Sequence, residues 1–162
     1  MSGHARETGA LATACFPEPE SAEQGLRLSV LVVDDHQPNR RIMAVLLESL
    51  GCAVSCAASG EEAVELARHA IFDLVVMDLH MTGIGGDEAT RRLRAHGRSR
   101  SAFVVQWSSD PMGRLNHGLY DARLAKPAAL DELQALVAEV RRRLQGRVNE
   151  EIPVQVRFRP TT

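Results

Sequence analysis

The sequence predicts an α/β fold in which a doubly wound parallel sheet has helices on both faces. Short apolar runs alternate with segments of helical periodicity along the chain, as in repeated strand–helix units. The central runs, such as VLVV at residues 30–33, are apolar at every position, which is typical of strands buried on both faces. A length of 162 residues suits one domain of about 100–150 residues with tails.

Five apolar runs predict the strands. In chain order these runs are residues 28–33, 52–57, 71–77, 102–107 and 123–125. The predicted helices are residues 38–50, about ten residues after Ser59, residues 86–96 and residues 129–145. Between the fourth and fifth runs, residues 110–119 contain a proline and two glycines, so the fourth helix of a strand–helix series is expected to be short, degenerate or absent.

Three of the predicted helices have clear signals at their ends or on one face. The first has Pro38 in its first turn and Gly51 as its stop, and its apolar residues on one face are Ile42, Val45, Leu46 and Leu50. Ser59 and Glu62 form a capping box for the second. The last has an apolar stripe made of Leu130, Leu133, Leu136, Val137, Val140 and Leu144.

The folded domain is expected to span residues 27–146. Residues 1–26 have no sustained apolar period and are interpreted as a disordered tail or linker. Residues 147–162 are interpreted as a C-terminal tail. Alternating apolar residues there predict either a short edge strand or an unstructured segment, and they are Ile152, Val154, Val156 and Phe158.

The composition excludes several classes of protein. A net charge of −2 gives no strong overall attraction to nucleic acid or to anionic membranes. The apolar runs are far shorter than the roughly 20 residues of a membrane span, and the N-terminus has no signal-peptide pattern. The three cysteines have no metal-binding spacing. We therefore expect a cytoplasmic domain with neither nucleic acid nor membrane as a partner.

Polar residues at the ends of the predicted strands define a candidate site. Asp34 and Asp35 follow the first run, and Asp78 follows the third. Ser108 follows the fourth run, and Lys126, the single lysine of the sequence, follows the fifth. The carboxyl ends of parallel strands meet at one edge of the sheet, where open α/β sheets bind ligands. We expect three carboxylates, a hydroxyl and an ammonium group to converge there.

This set of groups indicates phosphoryl chemistry. Three neighbouring carboxylates repel one another unless a cation neutralises them, and oxygen ligands suit Mg²⁺. Lys126 and the hydroxyl of Ser108 suit the oxygens of a phosphoryl group. An aspartate can also form an acyl phosphate, and Asp78 is the best candidate because it ends the most apolar run.

A family resemblance is carried by four segments, VLVVDDHQPNRR, LVVMDLHMTGIGGDEATRRLR, VVQWSS and LAKP. Together they resemble the receiver domain of two-component response regulators, most of all the receivers of hybrid sensor histidine kinases, over about residues 28–145. The resemblance implies a flavodoxin-like (βα)5 fold with strand order 2-1-3-4-5. It also implies Mg²⁺ as cofactor, and a histidine kinase or a histidine phosphotransfer protein as partner.

The resemblance also implies a role for each residue of the site. Asp78 would accept the phosphoryl group, Ser108 would contact it and transmit the switch, and Lys126 would pair with it. The implied metal ligands are Asp35, Asp78, the backbone carbonyl of His80 and, through water, Asp34.

Three positions depart from the family pattern. Thr82 stands at the usual proline four residues after the phosphoacceptor, and Gly85 stands at the usual aspartate, so residues 82–86 are expected to be looser than in the family. Arg123 replaces the switch aromatic, and a guanidinium cannot enter the same apolar slot without a large desolvation cost. The candidates for tuning the site are His80, Asp110 and Arg123.

The sequence therefore predicts a Mg²⁺-dependent phosphoacceptor that takes phosphate from a phosphohistidine onto Asp78 and signals through protein–protein contacts, without being an enzyme. It would be either a free-standing regulator or a part of a larger hybrid kinase. The alternative is a pseudo-receiver that binds partners without phosphorylation, which Arg123 favours. A phosphatase with an aspartyl nucleophile is disfavoured because His80 stands where a second acid is needed.

Overall fold

The computed structural model describes residues 27–110 and 113–150, with side chains to residue 147. This part of the chain contains five strands and four helices. In chain order they are β1 (Ser29–Val33), α1 (Gln37–Ser49), β2 (Ala53–Ala57), α2 (Gly60–His69), β3 (Leu74–Asp78), α3 (Gly86–His96), β4 (Phe103–Ser108), β5 (Ala122–Ala125) and α4 (Leu130–Glu150). All strands pair in parallel in the order β2-β1-β3-β4-β5, which confirms the predicted fold.

The register of the strands aligns their carboxyl ends at one edge of the sheet. Val33 of β1 pairs with Met77 of β3, so the residues that follow each of them are neighbours. Asp78 pairs with Trp107, and Ser108 pairs with Ala125 of β5. Strand β3 is central and every residue in it is buried, so Asp78 lies at the middle of this edge.

The sheet has an apolar core on each face, because successive residues of a buried strand point to opposite sides. On one face α1 and α4 cover a core that includes Val32, Val76, Trp107, Met43, Leu47, Leu133 and Val137. On the other face α2 and α3 cover a core that includes Val33, Val75, Met77, Ala63, Ala67, Ala89 and Leu93. The two cores hold β1, β3 and β4 in a fixed register.

Helix α1 buries a different stripe from the one that the sequence analysis placed on its apolar face. Met43 and Leu47 are buried, whereas Ile42 is 61% and Val45 is 56% exposed. The expectation is therefore wrong for Ile42 and Val45. Apolar residues form two overlapping stripes on this helix, and packing on the sheet selects the one with Met43, Leu47 and Leu50 at spacing i, i+4 and i+7. Ile42 and Val45 remain exposed to solvent, whereas Leu46 is partly buried against the core.

Helix α2 begins with the capping box that the sequence predicts. The Ser59 hydroxyl accepts a hydrogen bond from the Glu62 backbone N–H at 3.1 Å. The Glu62 carboxylate accepts one from the Ala58 backbone N–H at 2.7 Å. The first bond satisfies a donor that the helix itself leaves without a partner, and the second joins the helix to the residue before its N-cap.

Helix α4 extends beyond its predicted end and includes Gly146. A glycine inside a helix costs only about 1 kcal/mol relative to alanine, and burial of Leu133, Val137 and Val140 on the sheet outweighs that cost. The predicted N-terminal tail and the predicted edge strand near the C-terminus lie outside the described residues. Within those residues, none of the helices has the length and apolarity required to cross a membrane.

The described residues of the connection between β4 and β5 form no helix. Side chains fix the connection to its neighbours instead. The Tyr120 hydroxyl donates to the Asp87 carboxylate of α3 at 2.8 Å, and burial raises the pKa of this phenol, which keeps it a donor. Arg94 of α3 donates to the Asp121 carboxylate at 2.9 Å, and that carboxylate also accepts from the Val104 backbone N–H at 2.8 Å.

Gly86, the first residue of α3, allows that helix to approach the end of β3. A Cβ atom at this position would fall well inside van der Waals contact with the backbone carbonyl oxygen of Asp78. We expect Gly86→Ala to lower the free energy of unfolding by about 1–3 kcal/mol, as measured by urea denaturation. The matched control is Gly146→Ala, where a Cβ meets nothing within 4 Å and stability should rise by up to about 1 kcal/mol. Equal effects at the two positions would contradict this reasoning.

Candidate functional site

Three carboxylates meet at the carboxyl edge of the sheet. One oxygen from each of Asp34, Asp35 and Asp78 lies within 4.8 Å of the other two. Asp34 and Asp78 are buried and Asp35 is exposed. Neighbouring carboxylates repel one another strongly when water is excluded, so this arrangement requires a compensating positive charge.

Lys126 supplies part of that charge. Its Nζ lies 2.6 Å from Asp34 Oδ2 and 3.0 Å from Asp78 Oδ1, and its side chain is only 16% exposed. The ammonium group also lies 4.4 Å from the centre of the Trp107 ring, a distance that gives a cation–π interaction. The Lys126 backbone N–H donates to the Ser108 carbonyl oxygen at 3.0 Å, so pairing of β5 with β4 places the side chain.

The ammonium group does not fully offset the burial of Asp78. Desolvation by burial raises the pKa of Asp78 above its ordinary value, the ion pair with Lys126 acts in the opposite direction, and repulsion from Asp34 raises the pKa further. Two buried carboxylates and an exposed one therefore share one cation, and the site retains an excess of negative charge.

Asp34 is held by the loop and helix that follow it. Its carboxylate accepts hydrogen bonds from the His36 backbone N–H at 2.8 Å and from the Asn39 side chain at 3.4 Å. Arg40 donates to the Asp34 carbonyl oxygen at 2.6 Å. Asn39 and Arg40 were not among the predicted site residues, although polar residues in the first turn after a strand-end aspartate are a usable signal.

Asp35 is held by Thr82, which lies in the loop between β3 and α3. The Thr82 backbone N–H donates to Asp35 Oδ2 at 3.0 Å, and the Thr82 hydroxyl lies 3.3 Å from the same oxygen. Hydrogen bonding by Thr82, most of all by its backbone N–H, lowers the pKa of Asp35. From the sequence, Thr82 was predicted only to loosen the loop by replacing a proline, and this contact was not predicted.

The loop that contains Thr82 is also tied at a second point. The Ile84 backbone N–H donates to the Glu61 carboxylate at the start of α2, at 3.0 Å. Between the two ties lies Gly83, whose φ of +83° is a conformation that favours glycine. Hydrogen bonds to two carboxylates thus constrain a segment that the sequence analysis expected to be loose.

Of Ser108 and the three tuning candidates, only His80 has a hydrogen bond to a carboxylate of the site among the described contacts. Ser108 is buried, and its hydroxyl accepts from the backbone N–H of the exposed Asp110 at 3.1 Å. His80 is exposed, and its backbone N–H lies 3.3 Å from Asp78 Oδ1. Arg123 pairs in register with Gln106 and donates to the Gly113 carbonyl oxygen at 2.6 Å, so its guanidinium holds the connection between β4 and β5.

Comparison with known proteins identifies the class to which this fold and site belong. The chain matches the family model of the response regulator receiver domain over residues 30–138. It therefore belongs to the response regulator receiver domain family. Relatives include the Virulence sensor protein BvgS of Bordetella pertussis, with 37% identity over 139 residues, and the Sensor histidine kinase RcsC of Salmonella typhi, with 30% identity over 135 residues. The predicted resemblance to receivers of hybrid sensor kinases is confirmed.

The chain corresponds to a small part of those relatives. The match covers 80% of this chain but 11% of BvgS, and 82% of this chain but 14% of RcsC. Among solved structures, the receiver domain of the sensor histidine kinase PA1611 from Pseudomonas aeruginosa PAO1 aligns with a TM-score of 0.64 and 26% identity. That alignment covers 71% of this chain and 98% of the PA1611 chain, whose structure has a magnesium ion coordinated in the active site cleft.

Asp78→Asn is expected to raise the free energy of unfolding of the metal-free protein at neutral pH. The raised pKa of Asp78 means that the folded protein binds a proton more tightly than the unfolded chain, so stability falls as pH rises through the pKa of the folded state. The variant lacks this titration, so its advantage should grow from pH 4 to pH 7 in urea denaturation with a chelator present.

The control for this comparison is Asp131→Asn, at an exposed aspartate in the first turn of α4. This substitution removes a carboxylate that is already exposed, so it relieves no desolvation cost and should not stabilise the protein. An Asp78→Asn variant no more stable than the wild type at pH 7 would show that Lys126 fully compensates the buried charge.

Proposed function

We propose that this chain is a Mg²⁺-dependent phosphoacceptor in which Asp78 takes a phosphoryl group from a phosphohistidine. The observation that supports this proposal is the pairing of Lys126 with Asp78 at 3.0 Å within a cluster of three carboxylates. Such a cluster needs more positive charge than one lysine provides. An ammonium group and a divalent cation around a carboxylate nucleophile suit phosphoryl transfer.

In the proposed transfer, Asp78 is the nucleophile and Lys126 and Ser108 assist it. An Asp78 carboxylate oxygen forms the new bond to phosphorus while the phosphorus–nitrogen bond of the phosphohistidine breaks, and the imidazole leaves with the electron pair and takes up a proton. The product is an acyl phosphate. Lys126, already paired with Asp78, offsets charge on the phosphoryl oxygens, and the Ser108 hydroxyl at the end of β4 offers a donor.

The proposed metal ligands are Asp35, Asp78 and the backbone carbonyl of His80, with Asp34 acting through water. The donor set fits Mg²⁺ because it consists of oxygen atoms and carries excess negative charge. When bound, the cation would supply positive charge to the phosphoryl oxygens. Hydrogen bonds from His36 and Asn39, together with Lys126, occupy the Asp34 carboxylate, which favours an indirect role for it.

The proposed partner is a histidine kinase or a histidine phosphotransfer protein in the cytoplasm. The proposed output is signalling through protein contacts, not the turnover of a substrate. A cleft between α1 and the residues after β5 is lined by Ile42, Trp107 and Lys126. The exposed stripe of α1, formed by Pro38, Ile42 and Val45, continues from this cleft. We propose that the histidine-bearing partner packs an apolar face there, because the cleft leads directly to the Lys126–Asp78 pair.

A pseudo-receiver that binds without phosphorylation remains the second candidate. Arg123 at the switch position favours it, and so does the lack of a helix in the described residues of the connection between β4 and β5. The intact set of Asp34, Asp35, Asp78 and Lys126 disfavours it, because a binding module has no need to hold three carboxylates together at a cost in electrostatic repulsion.

Incubation with acetyl phosphate distinguishes the two candidates. We expect intact-mass spectrometry to detect one phosphoryl adduct that requires Mg²⁺ and is absent from Asp78→Asn. If acetyl phosphate fails, a phosphorylated histidine donor is the second reagent. Failure of both donors, together with no binding of Mg²⁺, would overturn the phosphoacceptor proposal in favour of the pseudo-receiver.

The proposed docking face is tested with Ile42→Asp. A charge in the apolar stripe of α1 should slow phosphoryl transfer from a phosphohistidine protein by roughly tenfold or more, since burying an unpaired charge costs several kcal/mol. Labelling by acetyl phosphate should not change. The matched control is Ile71→Asp, because Ile71 is 58% exposed but precedes β3 at the opposite edge of the sheet. Equal rates for the two variants would rule out this docking face.

A further inference from the structure

Asp35 differs from the other two carboxylates of the site in how it is held. Lys126 pairs with Asp34 and with Asp78, and both of those side chains are buried. Asp35 is exposed, and the hydrogen bonds to its carboxylate come from Thr82. An exposed aspartate has rotamer freedom that must be lost when it binds a cation.

Both Thr82 donors reach the same carboxylate oxygen. The backbone N–H lies 3.0 Å from Asp35 Oδ2 and the hydroxyl lies 3.3 Å from it. Both Thr82 contacts therefore hold Oδ2, and neither of them engages Oδ1. A proline at position 82 would remove both donors at once, because proline has neither a backbone N–H nor a hydroxyl.

We propose that Thr82 is a positioning residue that fixes the Asp35 carboxylate for cation binding and thereby couples Mg²⁺ occupancy to the order of the loop between β3 and α3. This inference rests on the proposed function, since it takes Asp35 as a metal ligand. Groups that hydrogen-bond to metal ligands commonly change metal affinity by 10–100-fold.

The coupling follows from linkage. If Thr82 holds Asp35 in the orientation that binds the cation, the bound cation must in turn strengthen the contact between Asp35 and Thr82 by the same free energy. The opposite arrangement, in which Thr82 competes with the cation for Asp35, would weaken that contact on binding. The two arrangements therefore predict opposite changes in the hydrogen-exchange rate of the Thr82 backbone N–H when the cation binds.

The first experiment is an NMR titration with MgCl₂ of the wild type and of three variants, following backbone amide signals near the site. Thr82→Ser keeps both donors and should bind Mg²⁺ within about twofold of the wild type. Thr82→Ala loses one hydrogen bond and should bind about threefold more weakly. Thr82→Pro loses both and should bind about tenfold more weakly. The spectra report at the same time whether each variant is folded.

The control is Glu61→Gln, which weakens the hydrogen bond from the Ile84 backbone N–H in the same loop. This substitution does not change the contacts between Thr82 and Asp35. It should change Mg²⁺ affinity by less than twofold. The second readout is hydrogen exchange of the Thr82 backbone N–H in the wild type, which should slow when Mg²⁺ is added.

The outcomes separate this inference from the proposed function. One outcome is that the wild type binds Mg²⁺ while Thr82→Ala and Thr82→Pro bind it as tightly as the wild type or more tightly. In that case the positioning role is wrong and the phosphoacceptor proposal stands. An equal loss in Glu61→Gln, or faster exchange at Thr82 with Mg²⁺, would also overturn it. If neither the wild type nor any variant binds Mg²⁺, the metal-dependent function and this inference fail together.

Discussion

The site depends on the balance between one ammonium group and the carboxylates around it. Lys126 reaches Asp34, which directly follows β1, and Asp78, which ends β3, while its own backbone is anchored to β4 through Ser108. The ion pairs therefore exist only if four strands keep their register. A slip of one residue in β3 would turn Asp78 toward the other face of the sheet and leave the lysine without its central partner. The apolar cores on both faces fix that register, and so they fix the electrostatics of the site as well.

The sequence carried enough information for the fold because its main signals were local and did not depend on tertiary contacts. Continuous apolar runs located the buried strands, and the Ser59–Glu62 pair located the start of α2. The bounds of α3 matched the predicted residues 86–96. The convergence of strand-end aspartates followed from parallel topology alone, since all carboxyl ends of such a sheet face one edge.

Other features could not be read from the sequence because competing local patterns are resolved only by packing. Helix α1 has two apolar stripes, and propensity does not distinguish Met43 from Ile42 as the buried residue. The contacts of Thr82 with Asp35 and of Arg123 with Gly113 join residues 47 and 10 positions apart, so their geometry depends on the folded loops. Two of the three departures from the family pattern, Thr82 and Arg123, therefore have new partners in this structure.

Because Lys126 is the single lysine of the sequence, an added amine-reactive reagent can probe the site selectively. This chain carries its positive charge as guanidinium groups with a single exception, and that exception lies at the centre of the carboxylate cluster. An amine-selective acylating reagent therefore has one side-chain target, which is 16% exposed and neutralised by two ion pairs. The rate at which that amine is acylated becomes a direct reporter of how open and how occupied the cluster is, with no background from other side chains.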